Sequence, residues 1–254
     1  MTPPMTPVSR PAVALAAAAL AVASHAAEIR VLSGGAVEPG LAAFAKLVLR
    51  ETGHTLAIQY NTGPQIAKRL AAGEVYDILI SPPPAIAQAT KDGQLVAATK
   101  APVGRVGAGV IVRTGAPVPD VSTVDALERA VLAADSIVYN TASTGLYLDR
   151  LFERLGVLDA IRPKTTRYAD GASVIEHVIR GRGVEIGFGA ITEIRLYESK
   201  GVTLAGPLPA AVQNYTAYEA AVMTGAKNES GAREVMKLLV SPAGKAAFAS
   251  GGVE

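Results

Sequence analysis

Cysteine and tryptophan are absent from the 254 residues, and only 5% are aromatic. The first absence excludes disulfides, cysteine-ligated metals and thiol nucleophiles. The second leaves the core to Ala, Val, Leu and Ile. A chain that is 50% hydrophobic can build a large core from these, in one or two domains. Charge is scarce as well. Charged residues make up 18% and the formal net charge is +2. No Lys/Arg cluster stands out, so a nucleic-acid groove is not expected. Three histidines, one of them in the first 26 residues, cannot supply a His-rich metal site. No metal and no cofactor are expected. There is no G-x-G-x-x-G fingerprint, no G-x-S-x-G elbow and no phosphate loop with Lys. Beyond the N-terminus no apolar run is long enough to span a bilayer.

The N-terminus itself carries a signal. "MTPPMTPVSRPAVALAAAALAVASHAAEIRV" holds one cation, Arg10, then an apolar run from Ala12 to Ala23, then Ser24-His25-Ala26 with small residues at both ends. This is the three-part layout of a secretory signal peptide, residues 1–26, with cleavage after Ala26. The alternative is an uncleaved anchor. Removing residues 1–26 leaves a chain near +1. The expected product is exported to the periplasm.

After Ala26 strand and helix patterns alternate. "EIRVLSGG" reads as a buried strand and a turn. The next helix has Leu41, Phe44, Ala45 and Val48 on one face, Pro39 in its first turn and Gly53 at its C-terminal cap. "TLAIQY", "NTGPQIAKRLAAG", "DILIS" and "PPPAIAQATKDG" continue the series as strand, helix, strand, helix. Such crossovers make parallel strands covered by helices. "RVGAGVIVRTGAPVPD" breaks the rhythm, with a strand from Gly107 to Val112. The alternation restarts with a helix from Val124, strand "SIVY" and a helix from Thr144. A second Pro/Gly break, "GVTLAGPLP", precedes a strand, "YTAYEAAVM", and two helices. The expected fold is α/β with two lobes, each a mainly parallel sheet flanked by helices, joined by two crossings. Residues 27–106 and 216–254 form lobe 1, and residues 107–215 form lobe 2. A cleft between such lobes is a natural ligand site and the crossings are candidate hinges.

In an open parallel sheet, ligands bind beyond the carboxyl ends of strands, where helix N-termini point. The turns there are small and hydroxyl-bearing: Ser33-Gly34-Gly35, Asn61-Thr62-Gly63 and Ser81 in the first lobe, Ala142-Ser143-Thr144 and Ala190-Ile191-Thr192 in the second. Each helix start presents unpaired N–H groups and a partial positive charge. Together they could hold an anion without a formal counter-charge. Each turn alone has a plainer reading, because Ser, Thr and Asn are ordinary N-caps and Gly an ordinary turn residue. Their recurrence at corresponding strand ends is what points to an anion site. The candidate ligand-binding residues are Ser33, Gly34, Gly35, Asn61, Thr62, Ser81, Ser143, Thr144 and Thr192. No catalytic residue is assigned. His54 and His177 read as solvent-facing. Asp170, Glu185 and Glu193 could do acid–base work, but the plainer reading is a loop charge, a strand-start charge and a first-turn helix acid; Arg105 could reach a carboxylate, but the plainer reading is a surface charge at the first crossing.

The ordered set "RVLSGG", "NTGPQIAKRLAAGEVYDILIS", "NTASTGLYLDRLFERLG" and "RGVEIGFGAITEI" resembles the molybdate-binding-type periplasmic solute-binding proteins, extracytoplasmic components of ABC importers with the type II fold. The resemblance implies hydroxyl ligands at Ser33 and Thr62, and backbone donors from the turn containing Ser143. It departs at two places. The tyrosine that the family's molybdate binders carry in the last turn is replaced at Ala190, and a double-serine turn has become Asn61-Thr62. A tetrahedral oxyanion thereby loses a hydroxyl donor. The "EIGF" strand and following "GPLP" resemble the branch that includes aconitate-isomerase-type proteins. The resemblance implies a small anionic ligand, molybdate-like or an organic carboxylate, and a monomer that meets an ABC permease. An isomerase of a small tricarboxylic acid and a sensory protein without a transporter are the alternatives.

Overall fold

The computed structural model describes residues 26–254. The signal-peptide reading lies outside the described residues, apart from Ala26.

The chain opens with β1 (Glu28–Gly34), a 3-10 turn (Gly35–Val37) and α1 (Glu38–Thr52). It continues through β2 (Thr55–Asn61), α2 (Gly63–Ala71), β3 (Ile78–Ser81) and α3 (Pro83–Lys91). A long strand, β4 (Ala101–Arg113), leads to α4 (Val124–Ala133), β5 (Ser136–Asn140), α5 (Ser143–Arg154) and the single turn α6 (Leu158–Ile161). Then come β6 (Thr165–Tyr168), α7 (Gly171–Arg180), β7 (Glu185–Ala190), α8 (Ile191–Tyr197) and β8 (Val202–Pro207). The last elements are β9 (Tyr215–Val222), α9 (Glu229–Val240) and α10 (Pro242–Ser250).

The strand order is β2-β1-β3-β9-β4-β7-β5-β6, with β8 also on β4. The fold is two-lobed because β4 serves two sheets. Its first half, Ala101–Gly107, pairs with β9, and its second half, from Ala108 onward, pairs with β7 and β8. Each lobe keeps a parallel core, β2-β1-β3 and β6-β5-β7. The linking strands β4, β8 and β9 run antiparallel. Two strands depart from the reading of the sequence. The strand expected over 107–112 begins six residues earlier, and the "GVTLAGPLP" break contains β8. Gly104 and Pro102 weaken the strand signal at the start of β4, where the register with β9 also shifts.

Separate apolar clusters fill the lobes. Phe44 stacks on Phe248 at 5.2 Å in the first. Tyr139, Phe152 and Phe188 meet edge-on in the second, with no tryptophan needed. His54 is not solvent-facing: it is 2% exposed. Its Nδ1 accepts from the Ala27 N–H at 3.1 Å, and its Nε2 lies 3.3 Å from Glu234. A histidine just past a helix-ending glycine folds under the following strand and so becomes buried. Among the described residues no helix is long and apolar enough to cross a membrane, and no cluster of His, Asp and Glu could hold a metal.

Candidate functional site

All six parallel strands end at one cleft between the lobes. Gly34 ends β1 and Gly35 follows it, Asn61 ends β2 and Thr62 follows it, and Pro82 follows β3. Across from them stand Asn140 at the end of β5 and Ala142 just past it, Gly171 after β6 and Ala190 at the end of β7. The cleft is narrow, with about 40 Å³ of free space for a water-sized sphere. Parallel crossovers force this convergence, since each strand's carboxyl end hands the chain to a helix start on the same side.

Three of those helices, α2, α5 and α7, begin at residues that line the cleft. In α2 the N–H of Gly63 has no intrahelical acceptor, and in α5 neither do those of Ser143 and Thr144. The same holds for Gly171 in α7, whose cap, Asp170, accepts only from Ser173 N–H at 2.8 Å. No Lys or Arg lines the cleft. The Arg167 guanidinium is held at the α5 turn, bound to Asp149 at 2.9 Å and to the Asn140 carbonyl at 3.0 Å. Positive potential in the cleft therefore comes from helix starts.

The predicted residues divide. Gly34, Gly35, Asn61, Thr62, Ser143 and Thr144 line the cleft together. Ser33, Ser81 and Thr192 are buried beneath its wall. The Ser33 hydroxyl donates to the Gly34 carbonyl at 3.1 Å. Thr192 donates to the carbonyl of Ala36, tying α8 to the turn after β1. The Ser81 hydroxyl is buried without a partner. Within the cleft, Gln65 accepts from the Thr62 N–H at 2.8 Å. The Thr62 hydroxyl is placed as the other half of a capping box but makes no hydrogen bond, and it stays buried and unpaired, as does Asn61 Oδ1.

Two residues outside the predicted ligand set complete the wall. Tyr218, from β9, lays its ring against Gly34, where an added Cβ would come within 2.6 Å of it. Burial, then the nearby Glu193, raises its phenol above the ordinary tyrosine range, so it stays a neutral hydrogen-bond donor. A tyrosine is thus supplied from a neighbouring strand although Ala190 carries none. Strand alternation in "YTAYEAAV" marked one face of β9 but not that this face met the cleft.

Glu193 is the second. It does lie in the first turn of α8, but it is not a plain surface acid serving the helix dipole. It is only partly exposed and its carboxyl sits between Gly35 of one lobe and Gly171 of the other. A Cβ on either glycine would overlap it. Burial first, then Glu38 and Asp170, push its carboxyl up to about 7. The other acids behave differently. Asp170 caps α7 rather than sitting loose in a loop. Glu185 does start β7, but it is buried and 3.1 Å from His177 Nε2. His177 is half-buried between it and the Tyr168 hydroxyl at 2.8 Å. Arg105 remains a surface charge at the first crossing, over the Tyr215 ring and beside Glu254.

Comparison with known proteins agrees with this architecture. The family model described as bacterial extracellular solute-binding protein matches residues 29–254. An aconitate isomerase from Pseudomonas sp is 26% identical over 260 residues, spanning all of this chain and 98% of its own. The periplasmic molybdate-binding protein of Azotobacter vinelandii superposes with a TM-score of 0.73 at 15% identity, covering 89% of this chain and 98% of its own. L-phospholactate-bound PEB3, a Campylobacter jejuni protein, gives 0.69 at 14% identity, covering 88% and 98%. At such identities the structural matches speak for the fold alone.

Proposed function

Since the chain belongs to the bacterial extracellular solute-binding proteins, we propose that it captures a small anion, a molybdate-like oxyanion or an organic carboxylate, and delivers it to an ABC permease. One observation carries this reading: six strand ends, three from each lobe, converge on one cleft that no Lys or Arg among the described residues lines, and three helix starts there bring free N–H groups beside an unpaired hydroxyl. Such a cleft holds an anion by directed dipoles. The closing lobes are residues 27–106 with 216–254, and residues 107–215. The protein acts as a monomer after removal of residues 1–26. Thermal shift with molybdate, tungstate, sulfate, citrate and both aconitate isomers tests the ligand class, because binding to the folded state alone raises the midpoint. No shift with any of them sinks the anion reading.

The second reading is an exported isomerase of a small tricarboxylic acid. Glu193 favours it, as a carboxyl in the cleft held up to about 7 is suited to take a proton from one carbon and return it to another. Similarity to an aconitate isomerase points the same way. Proton NMR of cis-aconitate incubated with the protein decides. Appearance of the trans isomer, lost in Glu193→Gln, makes it an enzyme, and an unchanged spectrum leaves the binding protein.

A further inference from the structure

Among the described residues Glu193 is the one acid that lines the cleft, and it shares that wall with Thr62 and Ser143. No hydrogen bond or ion pair holds its carboxyl among the described residues. What holds it is shape. Gly35 and Gly171 leave room for it, and a Cβ on either would push the carboxyl aside, so its two oxygens face opposite lobes.

The groups around it are of the wrong sign to keep it ionised beside an anion. Glu38 faces it from α1 and Asp170 from the turn before α7. Tyr218 faces it from β9 as a neutral phenol, and Tyr197 lies on its own helix. Lys200 acts on Glu38, and Tyr60 of β2 faces Glu38 as well. Arg195 of α8 turns to Gly252. The Gly35–Val37 turn and β8 bear no charge. The Glu185 of β7 is taken by His177. Arg105 of β4 is held by Glu254 and Tyr215, and its Arg113 reaches the Thr114 carbonyl. An anion in the cleft adds another negative charge to this set, and like charge favours the neutral carboxyl.

We propose that Glu193 carries a proton when the cleft is occupied and donates it as a hydrogen bond to the bound anion, so that each anion enters with one proton. The proposal rests on the reading of the cleft as an anion site. It makes Glu193 a specificity-determining contact: the site accepts an acceptor-rich anion only by turning its one acid into a donor. Burial already places the free carboxyl near 7, so the proton is taken up across neutral pH.

The test is calorimetry with sulfate, molybdate and trans-aconitate at pH 6 and pH 8, in buffers of different ionisation enthalpy. The wild type should bind about tenfold more weakly at pH 8 than at pH 6 and should take up close to one proton per anion at pH 8. Glu193→Gln should bind with the same affinity at both, without uptake. Asp170→Asn, which keeps the cap, should move the pH midpoint down and leave the uptake. Equal wild-type affinity at both pH values with no proton uptake overturns the proposal while the anion site stands. If none of the three anions binds at either pH, the anion reading falls and takes this one with it. The wild-type uptake measurement decides even if Glu193→Gln fails to fold.

Discussion

The two lobes present the same dipeptide at corresponding strand ends and use it in opposite ways. Asn61 ends β2 with Thr62 next, and Asn140 ends β5 with Thr141 next. In the second lobe the helix begins three residues after the asparagine. That gap lets Asn140 Oδ1 reach forward and accept from the N–H groups of Ala142 at 3.0 Å and Gly145 at 3.2 Å. In the first lobe the helix begins two residues after Asn61, too soon for that loop. Gln65 takes over, accepting from Thr62 N–H at 2.8 Å and from Asn61 Nδ2 at 3.3 Å. Because a backbone N–H fixes the Gln65 oxygen, the Asn61 atom facing it is the amide nitrogen, and Oδ1 is left unpaired. One turn is fastened by its asparagine. The other keeps its polar atoms for something else. Spacing to the helix start, not residue type, makes the difference.

The fastened turn should break hardest. A Cβ on Gly145 would overlap the Asn140 carbonyl, which is backbone and cannot swing aside. Gly145→Ala should cost about 3 kcal/mol or more, at or above the upper end for overpacking, and abolish anion binding. Denaturant unfolding and calorimetry measure the two. Asn140→Ala comes next. It strands two buried N–H groups and should cost about 2–3 kcal/mol. The matching Asn61→Ala removes only the longer bond to Gln65 and should cost under about 1 kcal/mol. Equal costs at the two asparagines would erase the comparison.

A smaller effect separates the cleft from the turns that frame it. The Glu193 carboxyl is raised to about 7 from the ordinary 4.5. The folded state thus binds more protons than the unfolded between those values. The stability this group contributes is full below about pH 4.5 and is lost as pH rises to about 7. The loss should be on the order of 1–3 kcal/mol, and Glu193→Gln should flatten it. Chemical denaturation at pH 5 and pH 7.5 reads the difference.

Periodicity made most of the fold legible. The apolar faces of α1, α5 and α7 bury the residues their spacing selects, Leu41, Phe44, Leu148, Phe152, Val174 and Val178 among them. The crossings were marked by Pro and Gly, but β4 and β8 run through those marks because β9 and β4 pair with them. The strand-end turns were legible because parallel sheets send their carboxyl ends to one side. What stayed hidden is whatever depends on how two lobes face each other. The first-turn position of Glu193 is ordinary in sequence, and only the juxtaposition of Gly35 and Gly171 turns it inward. Tyr218 lies 183 residues beyond Gly35, so no local pattern could place its phenol in the same cleft. Ser33 shows the converse: its strand-end position was right, but its side chain points under the wall to the Gly34 carbonyl.

The smallest stability change is the most informative about the first lobe's turn. Thr62 precedes α2 at the position where a threonine hydroxyl ordinarily caps, and replacing such a cap costs about 1 kcal/mol. Here the hydroxyl is buried and bonded to nothing, so deleting it removes an unsatisfied group rather than a cap. Thr62→Val, which keeps the shape, should leave the melting temperature unchanged or raise it slightly. The same substitution should weaken anion binding roughly tenfold or more, the worth of a hydrogen bond to a charged ligand. Ser81→Ala is the control. Its hydroxyl is equally unpaired but lies beneath the wall, so stability should hold or rise while affinity stays put. A destabilised Thr62→Val that binds like wild type would make the hydroxyl a cap after all, and the first lobe's turn would then be fastened like the second.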